Sequence, residues 1–108
     1  MTTFDEREKA FEAKYRHDQD LRFKVTARRN RLLGLWAAGK MGITGEAAET
    51  YAKSVVAADF EKPGDQDVVD KVTKDLAAKG VAIDAHQLAR EIERLATMAK
   101  EQLAKETK

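Results

Sequence analysis

The sequence predicts an all-α chain, a four-helix bundle carrying an N-terminal arm that is helical or partly disordered. Three observations predict it. Charged residues make up 36% of the 108 residues and there is one proline, a composition suited to solvated helices. No stretch alternates apolar and β-branched residues with polar ones over strand length. Apolar residues instead recur at steps of three and four in separate blocks, and glycine or proline punctuates the blocks.

The elements follow in order. Thr3 with Glu6 has capping-box spacing and opens a first helix that runs to about Ala38. Gly39, Gly42 and Gly45 break it. Thr44 is the expected N-cap of a second helix, with Glu46 facing the positive end of its dipole. That helix carries Ala48, Tyr51, Ala52, Val55, Val56 and Phe60, and Pro63 with Gly64 ends it. Asp65 is placed to cap a third helix with the stripe Val68, Val69, Val72 and Leu76, closed by Gly80. Val81–Ile83 is a short apolar linker. Asp84 with Gln87 forms a second capping-box pair, and the last helix presents Leu88, Ile92, Leu95, Ala96, Ala99 and Leu103. The tail from Glu101 to Lys108 is expected to fray. Helices this short are marginal alone, so the stripes must pack together.

The first helix divides by its stripes. At ~100° per residue, Phe4, Phe11 and Tyr15 share one direction to within about 20°. Leu21, Val25, Leu32 and Trp36 centre roughly 70° away. The alternatives are one long, slightly curved helix with both stripes in one core, or an arm over residues 1–18 beside a bundle over 19–108; the offset and the charge density favour the arm, with Trp36 buried on the bundle stripe. Gly34 inside the helix costs about 1 kcal/mol against alanine; either a close helix approach or chance accounts for it.

Charge is polarised along the chain although the net charge is only +1. Residues 21–45 hold six bases and no acid, whereas residues 46–75 hold eight acids and four bases. Such blocks suit pairing within the fold as well as binding a partner. Five of the seven aromatics precede Ala37, more than a small core needs from an N-terminal segment, which points to an arm that docks elsewhere.

Catalytic chemistry finds no foothold. With no cysteine there is no disulfide, thiolate metal site or cysteine nucleophile. His17 and His86 lie in no metal-ligand spacing. His17, beside Asp18 and Asp20, is a candidate pH sensor, though such a residue is more often simply solvated. Ser54 is the only serine and lacks an elbow motif. The glycines lack the phosphate-loop lysine and hydroxyl pattern. No cofactor or metal is expected. Arg28, Arg29 and Arg31 are candidate phosphate contacts, for a weakly bound adenine nucleotide or a nucleic acid. The near-neutral total argues against nucleic acid, and the plainer reading is a solvated helix face. No apolar run approaches a bilayer span and the N-terminus does not read as a secretion signal, so a cytoplasmic protein is expected.

From Phe11 to Gly42 the run FEAKYRHDQDLRFKVTARRNRLLGLWAAGKMG resembles the zeta-type ATPase inhibitor subunits of alpha-proteobacterial ATP synthases. Phe-Glu-Ala-Lys, His-Asp, Ala-Arg-Arg-Asn and Leu-Leu-Gly-Leu-Trp-Ala-Ala carry the likeness. Asp59-Phe60-Glu61 and Asp67-Val68-Val69 extend it, and it is loosest after Leu76. The resemblance implies a four-helix bundle whose N-terminal segment enters the catalytic head, between catalytic and non-catalytic subunits near the rotor stalk. There it would block ATP hydrolysis while largely permitting synthesis. It implies a location peripheral to the inner membrane, through the ATP synthase. The candidate partner contacts are then Phe4, Phe11, Lys14, Tyr15, Arg16 and Arg22, with affinity decided around Ala10, Phe11, Lys14 and Tyr15. A structural bundle that aids assembly of a complex is the remaining alternative.

Overall fold

The computed structural model describes residues 3–59 and 65–106, with side chains from residue 19 onward. It contains α1 (Thr3–Lys40), α2 (Gly45–Ala58), α3 (Gln66–Ala78) and α4 (Ala85–Glu106). The molecule measures 65 × 27 × 22 Å. The long dimension comes from α1, whose 38 residues span about 57 Å at 1.5 Å per residue. The 22 residues of α4 span only about 33 Å. α1 is the spine, in contact with all three other helices, and α2 also touches α3.

Helix ends follow local chemistry. α1 stops in a Schellman motif: Gly42, at φ 75°, donates to the Gly39 carbonyl at 3.2 Å and Ile43 N–H to the Ala38 carbonyl at 2.8 Å. α3 stops in the same way at Gly80, with Gly80 N–H to Ala77 at 3.0 Å and Val81 N–H to Leu76 at 2.9 Å. Gly39, expected to break α1, lies inside it; Gly42 does the terminating. α4 opens with the expected capping box. Gln87 N–H donates to Asp84 Oδ1 at 2.7 Å and Asp84 N–H to Gln87 Oε1 at 3.2 Å. Thr44 and Asp65 hold the N-cap positions of α2 and α3, but neither side chain caps; the Asp65 carboxylate is taken by Arg29. The side chains of Thr3 and Glu6, together with Phe60, Pro63 and Gly64, lie outside the described residues.

The core joins Leu33 and Ala37 of α1 to Val55, Val68, Val72, Leu76, Leu88 and Leu95. The stripes read for α2, α3 and α4 are the packed ones. That of α1 needs correction. Its buried residues are Arg29, Asn30, Leu33, Gly34, Ala37 and Ala38, a face centred about 140° round the helix from the expected stripe. Leu21 is 41% exposed, and Val25, Leu32 and Trp36 are only half-buried. The physical reason is the neighbour. α2 packs so close that a Cβ on Gly34 would sit 2.5 Å from the Ala52 Cα. Small residues therefore take the centre of the interface, and the large apolar ones flank it. The same rotation changes the argument for the arm. On the helical wheel the line of Phe4, Phe11, Tyr15 and Arg22 continues to Arg29 and Leu33, both buried, so angle gives no ground for dividing α1 at residue 18. Residues 19–24 are all exposed, and α1 is the longest of the four helices.

The tail also departs from expectation. α4 is helical to Glu106, since Arg28 holds both Gln102 and Glu106.

Candidate functional site

The exposed stretch of α1 leads into a ring of three arginines, each satisfied by the fold. Arg29 is 8% exposed. Its Nη2 and Nη1 donate to Asp65 Oδ1 and Oδ2 at 2.8 and 3.2 Å. The same guanidinium donates to Asn30 Oδ1 from Nε at 3.1 Å and from Nη2 at 2.8 Å. This pins α1 to the start of α3 through a forked, planar contact. Asn30 is fully buried, and its Nδ2 has no hydrogen-bond partner. Arg31 Nη2 donates to both oxygens of Glu49 on α2 at 3.0 Å. Arg28 reaches α4, donating from Nη1 to Gln102 Oε1 at 2.9 Å and from Nη2 to Glu106 Oε1 at 2.8 Å. That hydrogen bond holds the Glu106 carboxyl below its ordinary pKa. Three of the block's six bases thus pair with acids on α4, at the N-cap of α3 and on α2.

Around Arg28 the ends of α2 and α4 leave an open groove of about 550 Å³ beside α1. Phe23, Ala27, Val56 and Leu103 give it an apolar floor, and Lys24, Arg31 and Glu106 line it too. Sequence reasoning missed this groove, because Val56 and Leu103 come from separate helices and only the antiparallel packing brings them to Phe23. Away from the groove's lining residues, Tyr51 links α2 to α3. Its hydroxyl donates to Asp75 Oδ2 at 2.8 Å, and Lys71 Nζ lies 3.1 Å from the same oxygen and 5.3 Å from the ring centroid. Burial, then the hydrogen bond and the charge of Asp75, push the Tyr51 hydroxyl well above its usual pKa. Trp36 packs half-buried against the core with Lys40 Nζ 5.8 Å from its ring centroid.

Of the expected partner contacts, Arg22 is exposed on α1. Phe4, Phe11, Lys14, Tyr15, Arg16 and the candidate sensor His17 belong to the helical span of α1, but their side chains lie outside the described residues. Among the described residues no cluster of His, Cys, Asp and Glu could hold a metal ion. No helix there is long and apolar enough to cross a membrane.

The profile of the family described as ATPase inhibitor subunit zeta matches residues 1–102. The chain belongs to that family. A structure described as a solution NMR structure of the protein is 43% identical to this zeta-family chain, with a TM-score of 0.71. The match covers 80% of this chain and 98% of the other. No curated protein matches. Membership makes the zeta-family chain an ATPase inhibitor by kind, implies association with the F-type ATP synthase and suggests a non-catalytic role.

Proposed function

We propose that this chain is the brake on ATP hydrolysis in an F-type ATP synthase, and that residues 1–18 are its inhibitory arm. The arm enters an interface between catalytic and non-catalytic subunits near the rotor stalk, while residues 19–108 form the bundle that carries it. In this reading Phe4, Phe11, Lys14, Tyr15, Arg16 and Arg22 touch the enzyme. The protein acts at the cytoplasmic face of the inner membrane, held there through the synthase. The observation that carries the reading is α1 itself, one helix that begins at Thr3 and whose described side chains are exposed through Lys24 and become buried or half-buried from Val25. A helix that starts this far ahead of the core can lay one face into a groove of a partner. Roughly 18 residues of it reach about 27 Å, deep enough to enter a subunit interface.

The phosphate-binding alternative draws less support. Arg28, Arg29 and Arg31 are each engaged by a carboxylate of the fold. A nucleotide or nucleic acid would have to displace those partners. The test is ATP hydrolysis by the cognate catalytic head against increasing amounts of full-length chain and of a chain lacking Met1–Asp18. Inhibition by the first and none by the second is expected; equal inhibition would move the inhibitory surface onto the bundle.

A further inference from the structure

We infer that Arg28, gripped by Gln102 and Glu106, is a positioning residue that makes the last turns of α4 a brace for the root of the arm. The geometry is specific. α4 runs antiparallel to α1, so its C-terminal turns lie where α1 leaves the bundle. Arg28 Nη1 and Nη2 reach Gln102 and Glu106, residues one turn apart, at 2.9 and 2.8 Å. Leu103, between them, shares the groove floor with Phe23 and Ala27. N-terminal to this level the side chains of residues 19–24 are all exposed. The brace ties this level of α1 to α4, while the tie of Arg29 to Asp65, one residue on, lies on the α3 side.

A brace at this place matters because of how helices form. Starting a helix is unfavourable by a factor of about 10⁻³, whereas extending one adds a hydrogen bond for each residue fixed. A segment continuous with a clamped helix only has to extend. The clamp thus sets the point from which the arm grows and the direction in which it leaves. Released, α1 frays further into the bundle and leaves at a variable angle. An arm that must order itself on arrival binds more weakly. The contact is half-exposed, with side-chain exposures of 27% for Arg28 and 53% for Glu106, so its loss leaves the core in place.

The consequence for inhibition rests on the arm reading above; the brace itself is measured independently of it. The experiment follows amide hydrogen exchange of residues 19–28 in the full chain, together with inhibition of the cognate ATPase. It compares wild type, Arg28→Glu, the milder Arg28→Gln, and the charge exchange Arg28→Glu with Glu106→Arg. Exchange in residues 19–28 should accelerate at least about threefold in both single variants and return toward wild type in the exchanged pair. Inhibition should weaken by a similar factor and recover in parallel, while the thermal midpoint of the bundle stays nearly constant. Unchanged exchange in both single variants, or faster exchange that the charge exchange does not rescue, overturns the brace. Rescued exchange with constant inhibition overturns its positioning role. If wild type itself does not inhibit, the proposed function fails, and exchange alone still decides whether the brace exists.

Discussion

Two glycines in one helix make opposite demands. Gly34 faces α2, where an added Cβ would meet the Ala52 Cα at 2.5 Å, the Ala52 Cβ at 3.1 Å and Val55 Cγ2 at 3.3 Å. The first contact is backbone, so the helices themselves must part. Gly39, one turn on, has nothing within 4 Å of the same point. Gly39→Ala should therefore stabilise by about 0.4–1 kcal/mol, chiefly by narrowing the unfolded ensemble. Gly34→Ala should destabilise by about 1–3 kcal/mol through overpacking, despite the better helix former. Urea unfolding of the two variants checks the opposite signs. Tyr51 yields a second prediction at this scale. Its folded pKa is raised, so its contribution to stability is complete below the unfolded value of about 10 and is lost as pH rises through the folded one. In a Tyr15→Phe background, which leaves one tyrosine of the two, phenolate absorbance should appear only well above pH ~10 and together with unfolding. An ordinary titration in the folded chain would contradict the Asp75 contact.

Among the elements, α3 depends most on a polar tie. Its apolar stripe of Val68, Val72 and Leu76 is fully buried, but its start is fixed to α1 through Arg29 and Asp65. The two ends of that tie are not equivalent. Arg29 is buried and also supplies both donors to Asn30 Oδ1, whereas the Asp65 side chain is 53% exposed. Arg29→Met removes the tie and leaves a fully buried Asn30 with neither polar atom paired. That should cost about 1–3 kcal/mol, the range for a stranded buried polar group. Asp65→Asn keeps an acceptor in place and water within reach, and should cost less. Equal losses would mean that the ion pair, rather than the buried amide, carries the stabilisation. The element boundaries were legible in the sequence where a single residue type dictates the backbone. Gly42 and Gly80 adopt positive φ, and the Asp84–Gln87 box needs only its own two residues. Asp65 was legible as a helix start but not as an ion-pair partner, because Arg29 reaches it from another helix.

At the scale of the molecule, what was hard to read is the face that α1 turns inward. Hydrophobicity gave weight to Leu21 and Trp36. The interior instead holds Arg29, Asn30, Gly34, Ala37 and Ala38 beside Leu33, a choice that makes sense only once α2, α3 and α4 are known to surround one spine. The groove beside Arg28 was illegible for the same reason, whereas the family likeness was carried by contiguous runs such as Ala-Arg-Arg-Asn and needed no packing at all. The shape that results, a spine longer than the bundle around it, leads to the last prediction. Because residues 19–24 are exposed and the core begins beyond them, deleting Met1–Asp18 should leave cooperative unfolding with a midpoint close to that of the full chain. A molten truncation would make Phe4, Phe11 and Tyr15 core residues. The same deletion should abolish inhibition of ATP hydrolysis. Within the arm, the combined Phe11→Ala and Tyr15→Ala change should weaken inhibition at least about tenfold without altering the helical circular dichroism of the bundle, since a few aromatic and arginine anchors dominate most interfaces. A free peptide of residues 1–18 should inhibit poorly, because it must nucleate its own helix as it binds. Inhibition curves for full chain, deletion, double variant and peptide separate these outcomes: a peptide as potent as the full chain would mean that the bundle contributes neither order nor direction to the arm.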